Sequence, residues 1–234
     1  MPREPTSTQV GDTGHAPADR VAVDSQREHW GETFAAHPEM FGTEPSAPAR
    51  AAATRFLAEG KSEALELGAG QGRDTLFLTR QGLRVYALDY ADSAIASLRE
   101  AAESVGPVGS VAASRHDVRE PLPFPDERFD ACYAHMLFCM ALTTPELDRL
   151  ATEVHRVLRP NGLLVYTVRT TADAHYGASI DRGDNMYETG GFVVHFFDRA
   201  LVDRLAAGYE LVDLAEFNEG ELPRRLYRVA MRKA

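Results

Sequence analysis

Cysteine is scarce in this chain, no apolar run is long enough for a bilayer, and basic charge is outnumbered. Each shortage excludes something. Only Cys132 and Cys139 occur among 234 residues, both in apolar surroundings. Such a pair reads as buried free thiols of a reducing compartment, not as a disulfide framework. With the histidines scattered, no metal-ligand spacing emerges and no metal is expected. The longest apolar stretch, Ala131–Leu142, is interrupted by His135 and falls short of a membrane span. No basic start followed by an apolar run marks a signal peptide, so a cytoplasmic protein without a membrane partner is expected. The formal net charge of −10 argues against nucleic acid as a partner. What is present is globular: 44% hydrophobic and 26% charged residues, in a length that suits one domain with a large core.

The chain is organised around Ala64–Leu78, ALELGAGQGRDTLFL. Ala64–Leu67 is a short run of strand type. Gly68-Ala69-Gly70-Gln71-Gly72 follows, and from Arg73 the pattern is helical, with Gly82 placed to stop it. A strand, a glycine turn and a helix start make an anion- and nucleotide-binding corner. The glycines let a ligand approach the backbone, and the free N–H groups of the first helical turn face that ligand. A dinucleotide fingerprint, G-x-G-x-x-G/A, needs its third small residue at position 73, which is Arg73. Here the third glycine is Gly72, one residue early, and an acid, Glu66, precedes the turn.

These residues, Glu66-x-Gly68-x-Gly70-x-Gly72, resemble motif I of the class I S-adenosylmethionine (SAM) dependent methyltransferases. The resemblance implies an α/β fold: a seven-stranded, mostly parallel Rossmann-like sheet with an antiparallel last strand and helices on both faces. It also implies that Gly68, Ala69, Gly70, Gly72 and Arg73 lie against the amino-acid part of SAM. Arg84–Asp89 is an alternating strand ending in an acid 21 residues beyond Gly68, the position at which an acid meets a ribose. Tyr90 follows and is placed to pack against adenine. Ser110–His116 is a third strand. The resemblance gives Asp117 the adenine amino group and the Val118 backbone a ring nitrogen. Arg128–Ala134 matches the family's fourth strand, and His135 lies at its carboxyl end, where open α/β sheets bind ligands. Leu158–Val165, LRPNGLLV, resembles the family's "LRPGG" phrase before an apolar strand. Asn161 stands for the first glycine and tolerates positive φ.

Around this core, residues 1–23 read as a disordered tail and 24–234 as a single domain. Within it, 24–60 form an N-terminal helical cover and 171–197 a substrate loop. The cover has a helix over about Ser25–Ala36 carrying Trp30 and Phe34 at i, i+4, and a second helix capped by Ser46. By the resemblance, Trp30 and Phe41 are the aromatic residues near SAM. The long polar stretch Thr171–Gly191 reads as a functional loop. Tyr209–Phe217 and Leu226–Arg232 are two closing strands. The phrase Glu219–Arg225 between them resembles the corresponding region of bacterial tellurite-resistance methyltransferases.

Such an enzyme needs to align a nucleophile with the activated methyl group and to exclude water. Soft nucleophiles need little base help, whereas a hydroxyl or ammonium substrate needs a proton acceptor. His135, His175, Tyr176 and His195 are candidates for substrate contact. His195 is the first choice as the catalytic residue, because it is the one titratable group in an apolar stretch beside the expected pocket. Arg224 and Arg225 are placed to bind an anionic substrate. The expected function is methyl transfer from SAM to a small-molecule acceptor. The alternatives are a nicotinamide oxidoreductase, which Arg73 and the Leu158–Val165 phrase disfavour, and a non-catalytic SAM-binding regulator.

Overall fold

In a computed structural model, which describes residues 18–37, 40–105, 110–220 and 224–234, the alternating patterns fold as one sheet between helices. The order is α1 (Arg20–Ala36), α2 (Ala47–Ala58), β1 (Glu63–Leu67), α3 (Arg73–Arg80), β2 (Arg84–Asp89), α4 (Asp92–Ala102), β3 (Val111–Arg115) and β4 (Phe129–His135). Then follow α5 (Thr144–Val157), β5 (Leu158–Arg169), a small sheet of β6 (Ile180–Asp181), β7 (Met186–Thr189) and β8 (Phe192–His195), α6 (Arg199–Leu205), β9 (Tyr209–Glu219) and β10 (Arg224–Lys233). The large sheet has the strand order β3-β2-β1-β4-β5-β10-β9. β1 to β5 run parallel, and β10 is antiparallel to both of its neighbours.

The central strands are apolar on both faces because helices cover both. On one face α2 and α3 bring Ala49, Ala52, Phe56 and Leu78 against Val85, Tyr133 and Val165. On the other, α5 and α6 bring Leu147, Leu150, Val154 and Val202 against Phe129, Leu164 and Val229. Each such fully buried large side chain contributes roughly 1.5–3 kcal/mol relative to exposure. Asn161 takes φ 60° in the turn that leads into the inner part of β5, as its identity anticipates.

The N-terminal expectations need two corrections. Residues 1–17 of the expected tail lie outside the described residues, but α1 reaches back to Arg20, so 20–23 are helix. Asp19 caps it by accepting from the Ala22 N–H at 3.2 Å. The second helix of the expected cover, α2, belongs to the body instead: its apolar face is buried on the sheet, and Ser46 caps it by accepting from the Ala49 N–H.

The stretch 171–197 is also more than a loop. β7 and β8 form a hairpin through Gly190-Gly191, both at positive φ (60° and 86°), the backbone that a tight two-residue hairpin turn requires. Gln26 of α1 holds this hairpin from outside: its Nε2 donates to the Gly191 carbonyl and its Oε1 accepts from the Val193 N–H. α1 and the small sheet therefore form one cap. Among the described residues no helix is long and apolar enough to cross a membrane.

Candidate functional site

In the sheet order, β1 lies between β2, which follows it in sequence, and β4, so connections leave β1 in opposite directions. This is a topological switch point, where open α/β sheets bind ligands beyond the carboxyl ends of their strands. The glycine loop sits there. Gly68, Gly70 and Gly72 all have positive φ (70°, 53° and 91°), a region open mainly to glycine. A β-carbon on Gly68 would meet Leu137 at 3.0 Å, and one on Gly72 would meet Leu98 at 2.2 Å. One on Gly70 would meet only the Phe34 ring, at 3.5 Å. Gly70 is thus the glycine that faces the cap, while its two neighbours are tight against the body.

Asp89, at the end of β2, binds this loop directly. Its Oδ2 accepts from the Gly70 N–H at 2.8 Å and its Oδ1 from the Ala91 N–H at 2.9 Å. Burial raises its pKa, and these backbone donors oppose the rise. Tyr90 touches the cap, its hydroxyl 3.4 Å from the Gln26 carbonyl. Asp117 is held by Arg119, whose Nη2 lies 2.7 Å from Oδ2, and the same arginine reaches Asp24 of α1 at 3.2 Å. Val118 is buried beside it. The Asp117 carboxylate is thus already engaged by Arg119.

α1 lies across this corner. Phe34 packs on Gly70, with Trp30 5.3 Å and Phe41 6.1 Å from it, ring centroid to ring centroid. Gln71 donates to the His37 carbonyl, and Arg73 lies over the Phe41 ring. Trp30 also contacts Phe192 of the small sheet. Phe34, which the sequence reading places on the cover at i, i+4 from Trp30, is the centre of this aromatic cluster. Two surface grooves lie elsewhere. One of about 460 Å³ lies between α2 and strands β5, β10 and β9, and one of about 680 Å³ lies between α1 and Arg182, Glu188 and Gly191 in and beside the small sheet. Neither is lined by the glycine loop, which α1 covers.

Beneath the loop, Glu66 is buried and accepts from the Thr75 hydroxyl at 2.5 Å. Burial first, and Asp74 second, push its carboxyl up to about 8. Asp74 itself accepts from the Ser46 N–H and hydroxyl and lies 3.2 Å from Arg73. Burial pushes its pKa up, but Arg73 and the Ser46 donors outweigh that and hold it low. Glu66 has an ordinary value near 4.5 when unfolded, so the folded state binds the extra proton above that pH. Stability should fall as pH rises from about 5 to about 8, by on the order of 1 kcal/mol per pH unit. Urea denaturation at a series of pH values should show a flatter dependence in Glu66→Gln; an unchanged slope removes Glu66 as its source.

At the other end of the corner, His135 closes β4. Its Nδ1 lies 2.8 Å from the Thr167 hydroxyl of β5, and its Nε2 lies 3.5 Å from Glu219 Oε1 at the end of β9. Thr167 and Glu219 were not anticipated, since no sequence pattern links them to His135. His175 joins Arg169 and the buried Asp173, to which the Arg225 N–H also donates. Tyr176 packs with Tyr187 and Phe196. The two arginines part company, as neighbours on a strand must. The Arg225 side chain sits at the surface by Glu216, whereas Arg224 is close enough to His135 to act on its charge.

His195 corrects the catalytic expectation. It is 1% exposed, its Nδ1 donates to the Leu142 carbonyl at 2.7 Å, and its ring lies against Phe197. Such an imidazole ties β8 to the segment before α5. His195→Ala should lower stability by on the order of 2 kcal/mol while leaving nucleoside affinity unchanged. Paired melting and calorimetric titrations check this, and a loss of affinity without a loss of stability would restore His195 to the site. Cys132 and Cys139 are buried free thiols, and burial pushes Cys139 up to about 12. No group of metal-ligating side chains occurs among the described residues.

Residues 65–166 match the family model described as "Methyltransferase domain". No protein of curated function matches the chain. Among solved structures, it is similar to the Burkholderia thailandensis 1,6-didemethyltoxoflavin-N1-methyltransferase with bound S-adenosylhomocysteine. That likeness has TM-score 0.73 at 20% identity, over 97% of this chain and 98% of that one. It is also similar to the N-methyltransferase NodS of Bradyrhizobium japonicum in complex with S-adenosylhomocysteine, with TM-score 0.67 at 14% identity, over 88% and 98%. A third similar structure is the [4+2]-cyclase SpnF, with TM-score 0.70 at 19% identity, over 93% and 97%. At these identities the likeness establishes a shared fold.

Proposed function

We propose that this chain, whose residues 65–166 match a methyltransferase domain, is a class I SAM-dependent enzyme that moves the methyl group of SAM to a small organic acceptor. The observation that carries this reading is the glycine loop. Three positive-φ glycines stand at the switch point, and an acid at the end of the next strand holds the middle one. Bound there, SAM supplies a methyl group on a sulfonium, already activated toward a nucleophile. The residues suit it. Gly70 is the loop position whose absent β-carbon leaves room on the cap side. Asp89 has lone pairs beyond the two it gives to backbone N–H groups, enough to receive vicinal ribose hydroxyls. We assign Asp117, which Arg119 also holds, and the Val118 N–H to the adenine. Trp30, Phe34 and Phe41 form an apolar cover that excludes water, and Phe34 must move off Gly70 to admit a ligand.

The cap of α1 and the small sheet supports a small acceptor, and so does the toxoflavin-precursor methyltransferase among the similar structures. The net charge of −10 speaks against nucleic acid, and two buried free thiols suit the cytoplasm. Nicotinamide chemistry fits less well, because Arg73 fills the position of the third small residue. Since the same fold also serves a [4+2]-cyclase, transfer itself has to be measured. Incubation with methyl-labelled SAM and a metabolite library should yield a labelled small product. Binding of SAM with no labelled product from any acceptor would favour a non-catalytic SAM-binding protein.

A further inference from the structure

Beyond the glycine loop, the carboxyl end of β4 contains a second polar pair. His135, Thr167 and Glu219 come from the ends of three strands, β4, β5 and β9, and meet beside the switch point. The imidazole is fixed from behind. Its Nδ1 contacts the Thr167 hydroxyl, which in turn accepts from the Met136 N–H at 3.0 Å. Met136 takes φ 62°, a strained value for a residue with a side chain, so the chain turns sharply at the residue after His135. Nε2 is left as the ring nitrogen facing Glu219. At 3.5 Å the two groups are too far apart for a good hydrogen bond and close enough for an ion pair. Both side chains keep some exposure, 13% for His135 and 27% for Glu219, so a small molecule has access to them.

We infer that His135 and Glu219 together receive the proton of the methyl acceptor, which is therefore a hydroxyl or N–H compound. This rests on the methyltransferase reading above and deepens it. In the step, a lone pair on the acceptor oxygen or nitrogen forms the new bond to the methyl carbon. The carbon–sulfur bond breaks with its electron pair going to sulfur, and S-adenosylhomocysteine leaves. The acceptor's proton passes to Nε2 of the imidazole, and the imidazolium so formed is paired with the Glu219 carboxylate.

The surroundings keep the imidazole ready to accept. Burial lowers the His135 pKa. Glu219 of β9 and Asp74 of α3 oppose this, and Arg73 of α3 and Arg224 of β10 reinforce it. A neutral imidazole beside a carboxylate is one proton short of an ion pair, and Glu219 strengthens the base without occupying its lone pair by a tight hydrogen bond.

The test uses the full chain with labelled histidine side chains, titrated by NMR with S-adenosylhomocysteine present. In Glu219→Gln the His135 midpoint should fall by about half a pH unit or more. Methyl transfer from labelled SAM is then followed across pH on a panel of hydroxyl, N–H and thiol acceptors. Transfer to a hydroxyl or N–H member should rise with pH around the His135 midpoint. It should drop about tenfold in Glu219→Gln, with S-adenosylhomocysteine affinity unchanged. A His135 midpoint that does not move overturns the inference. So does transfer to thiols alone, or to none of the protic acceptors while SAM binds. Failure of the unaltered protein to bind SAM at all would instead overturn the methyltransferase reading itself.

Discussion

Gly72→Ala should abolish binding of S-adenosylhomocysteine and destabilise the fold by on the order of 3 kcal/mol. Two effects add. Gly72 stands at φ 91°, outside the range that a residue with a β-carbon tolerates. The new β-carbon would also lie 2.2 Å from Leu98 Cδ1, 3.1 Å from Cγ and 3.3 Å from Cβ. Leu98 is fully buried in α4 beside Ala69 and Ala87, so relief costs either its packing or the loop, and a shifted loop carries Gly70 off Asp89. A double-mutant cycle with Leu98→Ala, which alone costs on the order of 2–5 kcal/mol, separates the two effects: Gly72→Ala should cost less stability in the Leu98→Ala background than in the unaltered protein, and binding should stay weak. Urea denaturation and calorimetric titration measure both. Full binding by Gly72→Ala would show that the loop is not the cofactor site.

Asp89→Ala should weaken binding of the same ligand by on the order of 1.5–3 kcal/mol, about ten- to a hundredfold. The carboxylate does two things in the structure. It is the acid at the end of β2, which the proposed function assigns to the ribose, and it holds the Gly70 and Ala91 N–H groups. Removing it strands both donors, so a modest loss of stability accompanies the loss of affinity. Asp89→Asn keeps one acceptor oxygen and should retain more of the stability than of the affinity, since an amide receives two hydroxyl protons poorly. Equal affinity in folded Asp89→Ala would remove the residue from the site.

Local patterns made the glycine-loop half of the fold legible. The strand–glycine–helix corner, the acid ending β2, the turn at Asn161 and the two closing strands each depend on residues close together in sequence. The acceptor half depends on partners far apart. His195 reads alike whether it faces a substrate or the core; what decides is the Leu142 carbonyl, 53 residues away. Glu219 sits in a polar stretch with no pattern of its own, and only the order of β4, β5, β10 and β9 brings it to His135. The small sheet was hidden because β6 and β7 are short and largely polar and are joined to the apolar β8 by a tight Gly190-Gly191 turn, inside what reads as a loop. The start of α1 was hidden because its first turn is largely solvent-facing, with Val21 82% exposed.

The most direct measurement is a calorimetric titration of the full chain with S-adenosylhomocysteine and, separately, with NAD. Saturable one-to-one binding of S-adenosylhomocysteine is expected, lost in Gly72→Ala and weakened in Asp89→Ala, with no binding of NAD. Saturable binding of NAD, with none of S-adenosylhomocysteine, would contradict the assignment of the glycine loop and of the function built on it.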